Sequence, residues 1–392
     1  MEEIRVILKS GKDQSLRRYH PWVFSGAIKK IKGSPAEGDV VHVYDNKDEF
    51  LGLGHYQIGS IAVRILSFKS VEVNREFWKQ KILAAISLRK TLGLFENTDT
   101  TVFRLINAEG DGFPGLIADY YNGTIVMQAH SVGMYRNLDL LADVLKEAFE
   151  GQLLAIYNKS KTTLPYKADV NKENYYIFDQ GKSFNVQENG LSFNINWEEG
   201  QKTGFYIDQR ENRELLKRFA KNKRVLNLFG YTGGFSIYAL EAGCESVDTV
   251  DSSKKAVELA QDNVEKNFGP TAQHRGIASD AFDYFDNADR KYEVIVLDPP
   301  AFAKHHNVLH NALQGYKKLN RKAIQQIEPG GILFTFSCSQ VVSKENFKKM
   351  IFAAAAGTGR FVRILYQMDQ PADHPISVYH PEGEYLKGLV LR

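Results

Sequence analysis

The sequence predicts an α/β fold in which a mostly parallel, doubly wound sheet follows a small β-barrel and a central α+β region. Short strand-like segments separated by turn residues fill the first 70 residues, which is typical of a small barrel. After residue 224, strand and helix patterns alternate, which indicates a parallel sheet with helices on both faces. A glycine-rich turn, Gly230–Gly234, follows a buried apolar strand, and Asp251 lies 21 positions after Gly230. That spacing suits a nucleoside bound over the ends of two neighbouring strands.

Length and composition bound the class of protein. A chain of 392 residues is too long for a single core and predicts two or three domains. No apolar run approaches the roughly 18 residues of a membrane span. Because Met1–Arg5 also lacks a signal-peptide pattern, we expect a cytoplasmic protein without membrane contact. Two cysteines, Cys244 and Cys338, provide neither a disulfide framework nor a zinc site of the usual spacing, so no metal is expected.

The net charge is small but unevenly distributed. The chain has 50 Lys and Arg against 47 Asp and Glu, a surplus of +3, which by itself demands no nucleic-acid partner. Residues 1–70 contain eleven Lys and Arg and eight Asp and Glu, so this segment carries the whole surplus. It is therefore the better candidate for contacting phosphate.

The first 70 residues contain three strand-like runs, at Ile4–Leu8, Asp39–Tyr44 and Ile61–Leu66. The string Arg18–Ile28 and the turn Glu37–Val40 resemble an N-terminal PUA domain, which is an RNA-binding pseudo-barrel. Polar groups in such a module can face a phosphate backbone. The candidate RNA contacts are Arg17, Arg18, His20 and, far along the chain, Lys304.

Two aromatic residues in this region, Trp22 and Phe24, are expected in its core. The next element is a helix over Phe77–Leu92, which Gly93 ends. From about residue 100 to 190 a second β-rich region is interrupted by a helix near Leu138–Phe149. Its distinctive string, residues 106–121, predicts two strands joined by a turn dense in Gly, Pro and Asp, with no residue of obvious chemistry.

A hairpin is predicted over residues 182–197, because Asn189-Gly190 supplies the positive φ angles of a two-residue turn. The loop that follows, residues 200–213, is too polar to be core. Within it, Tyr206 can stack on a ligand or hydrogen-bond to it, and Arg210 can pair with a carboxylate through two hydrogen bonds. Asp208 suits a helix cap equally well.

The remainder predicts alternating strands and helices. The predicted strands are 225–229, 247–250, 273–278, Tyr292–Leu297, Ile332–Phe336, Phe361–Met368 and Glu384–Leu391. Three helices are predicted, one that begins at residue 234, one over 253–267 and one over 309–327. The turn Gly230-x-x-Gly233-Gly234 departs from the dinucleotide fingerprint and forms no evident pyrophosphate cradle. A nucleoside without phosphates, such as S-adenosyl-L-methionine, therefore fits better, and a purely structural strand-turn-helix is the alternative.

Four chemically capable side chains are predicted at strand ends: Asp251, Asp280, Asp298 and Cys338. Asp251 would bind the ribose hydroxyls and Asp280 the adenine amino group. The predicted cofactor-binding residues are Tyr206, Arg210, Phe229, Gly230, Tyr231, Thr232, Gly233, Asp251, Ser252, Asp280, Ala281 and Asp298. Neighbouring strands lie roughly 4.8 Å apart, so Asp298 and Cys338 can reach one substrate ring.

Across nearly its whole length the chain resembles the PUA-containing large-subunit ribosomal RNA cytosine-C5 methyltransferases. The strings that carry the resemblance are Lys202–Arg210, Phe229–Ser236, Asp298–Phe302 and Ser337–Ser339. The resemblance implies a Rossmann-like class I methyltransferase domain over 191–392, after a PUA domain over 1–70 and a central domain over 71–190. It also implies 23S ribosomal RNA as the partner, with a homodimer as one candidate oligomeric state.

On this resemblance Cys338 and Asp298 are the predicted catalytic residues. A thiolate is the strongest nucleophile available at neutral pH, and its addition to C6 of cytosine would make C5 reactive. Pro300-Ala301 stands where other cytosine-C5 enzymes of this fold have a second cysteine, so Asp298 or a water would remove the C5 proton. The alternatives are an exocyclic-amine methyltransferase and a non-catalytic RNA-binding assembly factor. Cys244 is expected to be an apolar filler.

Overall fold

The computed structural model describes residues 3–165, 170, 172–287, 290–302 and 308–392. They form two compact units. The first unit comprises Met1–Val186, Asn196–Gly204 and Ala372–Gly383, and the second comprises Gln187–Ile195, Phe205–Pro371 and Glu384–Arg392. The three-domain boundaries derived from the sequence remain a prediction.

The first unit begins with a six-stranded sheet. Its elements are β1 (Arg5–Leu8), α1 (Gln14–Arg17), β2 (Trp22–Phe24), β3 (Ile28–Lys32), β4 (Val40–Tyr44), β5 (Phe50–Tyr56) and β6 (Ile61–Ser67). The strand order is β2-β6-β5-β4-β1-β3, in which β1 and β4 pair in parallel and the other neighbours are antiparallel. Alternate branched residues such as Val6, Val41 and Val63 are fully buried and form its core.

A second sheet of five strands completes the first unit, in the order β11-β10-β9-β8-β7. Its elements are α2 (Arg75–Thr91), β7 (Val102–Asn107), β8 (Leu116–Tyr121), β9 (Thr124–Ala129), α3 (Val132–Arg136), α4 (Leu138–Ala148), β10 (Ala155–Asn158) and β11 (Tyr175–Asp179). The Asn74 side chain caps α2 by accepting the Phe77 N–H at 3.1 Å, and Gly93 follows the helix with φ 69°. The predicted α2 and α4 are confirmed.

The turn after β7, which has no obvious chemistry in the sequence, holds the first unit together. Asp111 accepts two hydrogen bonds, of 2.6 and 2.8 Å, from the fully buried Arg89. Glu109 accepts hydrogen bonds of 2.8 Å from the Trp22 indole and from Arg64. The core placement expected for Trp22 and Phe24 is wrong, since Trp22 is only partly buried and Phe24 is 45% exposed.

The second unit contains a hairpin and a seven-stranded sheet. The elements are β12 (Asn185–Glu188), β13 (Leu191–Asn194), α5 (Arg210–Ala220), β14 (Arg224–Leu228), α6 (Gly234–Glu241), β15 (Ser246–Asp251), α7 (Lys254–Phe268), β16 (His274–Ala278), α8 (Ala281–Asn287), β17 (Tyr292–Leu297), α9 (Leu309–Gln326), β18 (Ile327–Ser337), α10 (Lys344–Ala356), β19 (Ile364–Met368) and β20 (Lys387–Leu391). The hairpin turn at Asn189-Gly190 has φ angles of 52° and 80°, as predicted.

The seven strands have the order β16-β15-β14-β17-β18-β20-β19. The five strands from β14 to β18 run in parallel, and β20 is antiparallel to both β18 and β19. Residue Leu228 pairs with Val250 on one side and Leu297 on the other, while Leu297 pairs with Thr335. The carboxyl ends of these strands therefore lie along one edge, which confirms the predicted doubly wound sheet.

The edge strand β19 exposes apolar side chains, among them Ile364, Leu365 and Tyr366. The homodimer remains a prediction. Within the described ranges, no helix combines the length and apolarity required to cross a membrane.

Candidate cofactor and catalytic site

The glycine-rich turn after β14 is shaped by close packing. A Cβ atom on Gly230 would lie 2.3 Å from Cγ2 of Thr249, so only glycine fits there. Gly233 has φ 78° and precedes α6, where a Cβ would meet Ala260 at 3.0 Å. Phe229 and Tyr231 also adopt positive φ angles, of 62° and 45°. Such strained backbone persists where the surrounding structure enforces it, often at ligand sites.

Asp251 ends β15 beside this turn, as predicted. Its Oδ2 accepts the Tyr231 N–H at 3.1 Å, and its Oδ1 accepts the Ser253 N–H at 2.9 Å. The carboxylate therefore ties the tips of β14 and β15 together. Each carboxylate oxygen has further lone pairs with which it can accept a ligand hydroxyl.

Asp280 lies after β16, again as predicted, and it is exposed. Its Oδ1 accepts the N–H groups of Phe282 at 2.8 Å and of Asp283 at 3.3 Å, so it caps α8. A pocket of about 440 Å³ lies next to this cap, between α8 and α9. It is lined by Phe282, Phe302, Val308, Asn311, Ala312 and Gly315.

The segment before α5 brings several polar groups to the same edge of the sheet. The Tyr206 ring lies edge-on to the Tyr231 ring, with centroids 5.4 Å apart. Burial, followed by the charges of Asp298 and Cys338, raises the pKa of Tyr206. Arg210 is buried, with its Nε 3.9 Å from Oε1 of Glu211.

Arg213 holds the backbone of this segment in place through a hydrogen bond. Its guanidinium donates two hydrogen bonds of 2.7 Å to Glu188 and one of 3.0 Å to the Tyr206 carbonyl. Both members of this ion pair are buried. Because removing one partner would leave an uncompensated buried charge, the pair anchors Tyr206 firmly.

Asp298 follows β17 and is partly buried. Burial, and then the charge of Asp208, raise the pKa of Asp298 to about 7, although a hydrogen bond from Gln209 opposes this shift. Gln209 is oriented in turn, because its Oε1 accepts the Asn212 amide at 2.7 Å. A carboxyl group with such a pKa exchanges a proton near neutral pH.

Asp208 is not a helix cap. Its Oδ2 accepts the Tyr385 hydroxyl at 2.8 Å, whereas its Oδ1 is buried and accepts no hydrogen bond from the residues that the structure describes. A buried carboxylate oxygen of this kind costs free energy unless a donor satisfies it. The sequence offered no signal for the Tyr385 contact, since the two residues lie 177 positions apart.

Cys338 directly follows β18 and is partly buried. Its Sγ lies 4.0 Å from the carbonyl oxygen of Pro299, the residue after Asp298. The thiol and the Asp298 loop are therefore neighbours, as the predicted strand order requires. Cys244, by contrast, is 1% exposed in an apolar cluster, and burial raises its pKa to about 11, so it is the inert filler that the sequence predicts.

The predicted RNA contacts in the first unit differ in their surroundings. Arg17 contacts three carboxylates, Asp13 at 2.6 Å, Asp45 at 2.9 Å and Glu49 at 2.7 Å. His20 lies 3.3 Å from Glu382. Arg18 is exposed and forms no ion pair within the described part of the chain. Lys304 lies outside the described residues.

No group of three or more His, Cys, Asp or Glu side chains that could hold a metal ion is found among the described residues. Taken together, the strand order, the glycine turn at the first strand and the acidic residue at the second define the class I methyltransferase fold. The known proteins that the chain resembles lead to the same class.

Residues 6–68 match a PUA-like domain, and residues 105–379 match the S-adenosylmethionine-dependent methyltransferases. Two curated relatives are both called ribosomal RNA large subunit methyltransferase I. That of Pseudoalteromonas translucida is 38% identical, covering 99% of this chain and 98% of the relative. That of Aliivibrio fischeri is 36% identical, covering 99% of each.

Solved structures agree over the same length. A SAM-dependent methyltransferase from Streptococcus mutans is 25% identical with a TM-score of 0.85, and a methyltransferase complexed with SAH is 25% identical with a TM-score of 0.86. Each match covers 99% of both chains. The chain therefore belongs to the S-adenosylmethionine-dependent methyltransferases with a PUA-like domain, in the family named ribosomal RNA large subunit methyltransferase I. Its cofactor is S-adenosyl-L-methionine.

Proposed function

We propose that this protein methylates C5 of a cytosine in 23S ribosomal RNA, with Cys338 as the nucleophile. One observation carries the proposal, namely that Sγ of Cys338 lies 4.0 Å from the Pro299 carbonyl, beside a carboxyl group whose pKa is about 7. The relatives' name, ribosomal RNA large subunit methyltransferase, supports the RNA substrate.

The residues at the strand ends fit the cofactor. Because Gly230 has no side chain, the backbone of this tightly packed turn can come close to a nucleoside. A Cβ at this position would clash with Thr249. Asp251 would take the ribose, while Asp280 and Ala281, next to the pocket between α8 and α9, would take the adenine. For the amino-acid tail, the unsatisfied Oδ1 of Asp208 suits the ammonium group. When bound, the cofactor supplies the electrophilic methyl group.

The substrate steps follow from the two catalytic side chains. The Cys338 thiolate adds to C6 of the cytosine, and the electrons of the C5–C6 double bond make C5 nucleophilic enough to accept the methyl group. Ionised Asp298 then removes the C5 proton, directly or through a water, and the C6–S bond breaks to restore the double bond and the thiolate. Because its pKa is about 7, Asp298 can also be protonated before that step and donate a hydrogen bond to the cytosine ring.

The PUA-like domain, residues 6–68, would supply affinity for RNA. A base in folded RNA must be exposed before chemistry can reach it, and a module that binds the surrounding strand meets that need. Removing residues 1–70 is expected to weaken RNA binding in a salt-dependent manner while cofactor affinity is retained.

Replacing Cys338 by Ala tests the proposal, with Cys244→Ala as the matched control. We expect Cys338→Ala to abolish methyl transfer to C5 of the RNA while S-adenosyl-L-methionine still binds in calorimetry. Cys244→Ala should keep turnover. Transfer that continues undiminished in Cys338→Ala would contradict covalent catalysis.

A second candidate is transfer to an exocyclic amine of adenine or guanine. The observation that favours it is Asp298-Pro299-Pro300 followed by the aromatic Phe302, a combination that can hold an amino nitrogen between carboxylate and backbone. This chemistry requires no thiol. Mass-spectrometric identification of the methylated nucleoside separates the two candidates, because only one yields 5-methylcytidine.

A further inference from the structure

Lys387 is a buried cation that the proposed chemistry has not yet used. It is 4% exposed and begins β20, where it pairs with Ser337 of the antiparallel β18. Its Nζ donates hydrogen bonds of 2.6 Å to the Ser339 carbonyl and 2.6 Å to the Tyr385 carbonyl. The ammonium group is thus hydrogen-bonded to the carbonyl of Ser339, the residue after Cys338.

The direct hydrogen-bond partners of this ammonium are neutral. A buried charge costs free energy unless an opposite charge lies close by. Glu384, the carboxylate nearest along the chain, forms an ion pair with Lys344. A negative charge on Cys338 also raises the pKa of Lys387, and this effect is larger than that of Glu384.

Electrostatics agree with this geometry. Burial lowers the pKa of Lys387 to about 8, whereas the charges of Cys338 and Glu384 raise it and Lys344 lowers it. The ammonium therefore stays largely protonated at neutral pH. A charge on Cys338 also acts on the phenols Tyr206 and Tyr316, and both have raised pKa values, with burial as the main cause. Neither phenol provides a positive charge.

We propose that Lys387 is a positioning residue that holds the Ser339 peptide and keeps the neighbouring Cys338 sulfur in its reactive, negatively charged form. This role deepens the proposed function, because it rests on Cys338 being the nucleophile. Lys387 itself touches neither substrate nor cofactor in this role. It acts through two hydrogen bonds and one charge.

The reactivity of the thiol measures this role without any turnover. The rate of alkylation by iodoacetamide is followed against pH in full-length protein, and mass spectrometry reports modification at Cys338. Cys244 contributes no signal because it is buried and its pKa is raised to about 11. We expect Lys387→Met to move the pH midpoint of alkylation upward by about one unit, which is a tenfold loss of thiolate.

Three further variants make the result specific. Lys387→Arg keeps a positive charge, so its alkylation midpoint should stay close to that of the wild type. Lys387→Gln keeps a hydrogen-bond donor without charge and should shift the midpoint upward as Lys387→Met does. Lys349→Met removes an exposed lysine of α10, which pairs with Glu345, and should leave the midpoint unchanged. Binding of S-adenosyl-L-methionine by calorimetry identifies the variants that are folded.

An unchanged midpoint in a folded Lys387→Met or Lys387→Gln variant would overturn the proposal. If neither neutral variant binds the cofactor while Lys387→Arg does, the alkylation midpoint of Lys387→Arg decides. A midpoint about one unit above that of the wild type in Lys387→Arg would also overturn the proposal. The proposed function fails separately, through undiminished turnover of Cys338→Ala. The alkylation midpoint still reports on Lys387 in that case.

Discussion

The raised pKa of Asp298 predicts an unusual dependence of stability on pH. Its folded pKa of about 7 lies roughly 3 units above the value near 3.9 of an unfolded aspartate. Below pH 3.9 the carboxyl group is protonated in both the folded and the unfolded state, so it does not lower the free energy of unfolding. As the pH rises toward 7, the unfolded chain ionises first, so stability is lost progressively, and above pH 7 the full penalty remains.

The size of this penalty follows from the same shift. At about 1.4 kcal/mol per unit, 3 units correspond to at most about 4 kcal/mol. Because Asp298 is only partly buried, water screens part of the effect, and about 2 kcal/mol is a realistic expectation. Asp298→Asn removes the ionisable group but keeps an oxygen that can accept the Gln209 hydrogen bond.

Urea unfolding of the wild type and Asp298→Asn at two pH values measures the effect. We expect the variant to be more stable by about 2 kcal/mol at pH 8 and by less than about 1 kcal/mol at pH 5. Asp262→Asn, on the exposed face of α7, is the control and should show no such pH-dependent difference. An Asp298→Asn variant that is no more stable than the wild type at pH 8 would refute the reasoning.

Two further predictions concern the glycine turn at Gly230 and the PUA-like domain. Gly230→Ala places a Cβ 2.3 Å from Thr249, and overpacking of this kind costs about 1–3 kcal/mol, so calorimetry should show S-adenosyl-L-methionine binding at least about tenfold weaker. Gly26→Ala, where a Cβ meets open space, is the control and should bind the cofactor normally. Unaltered affinity in Gly230→Ala would contradict the tight turn. Arg18→Ala should lower the slope of log affinity for RNA against log salt concentration by about one. Arg17→Ala should leave that slope unchanged and lower the thermal stability, because the Arg17 guanidinium already contacts three carboxylates. A larger slope change in Arg17→Ala than in Arg18→Ala would reverse this assignment.

The sequence predicts the sheet well because its parallel strands are short apolar runs bounded by turn residues. Strand and helix periods identify β14 to β18, and the strand order follows from the resemblance. The positions of Asp251, Asp298 and Cys338 at strand ends then follow, since parallel strands carry their carboxyl ends to one edge. Their proposed roles remain for experiment.

The contacts that the sequence does not predict join residues far apart in the chain. The Asp208–Tyr385 hydrogen bond spans 177 positions and the Lys387–Ser339 bond spans 48, so no local pattern encodes either. Two of the three charge partners of Arg17, Asp45 and Glu49, are also distant in the sequence, whereas Asp13 lies four positions away. Phe24 is exposed although it is aromatic, because a large share of any protein surface is apolar.

The central claim, that Cys338 attacks C6 of a cytosine, is tested most directly by trapping the covalent adduct. RNA containing 5-fluorocytidine at the methylated position has no C5 proton to lose, so the enzyme should remain bound to it after methyl transfer. We predict that peptide mass spectrometry locates the nucleotide on Cys338, in the wild type and in Cys244→Ala. An adduct on another residue, or methyl transfer to cytidine by Cys338→Ala at the wild-type rate, would contradict the account.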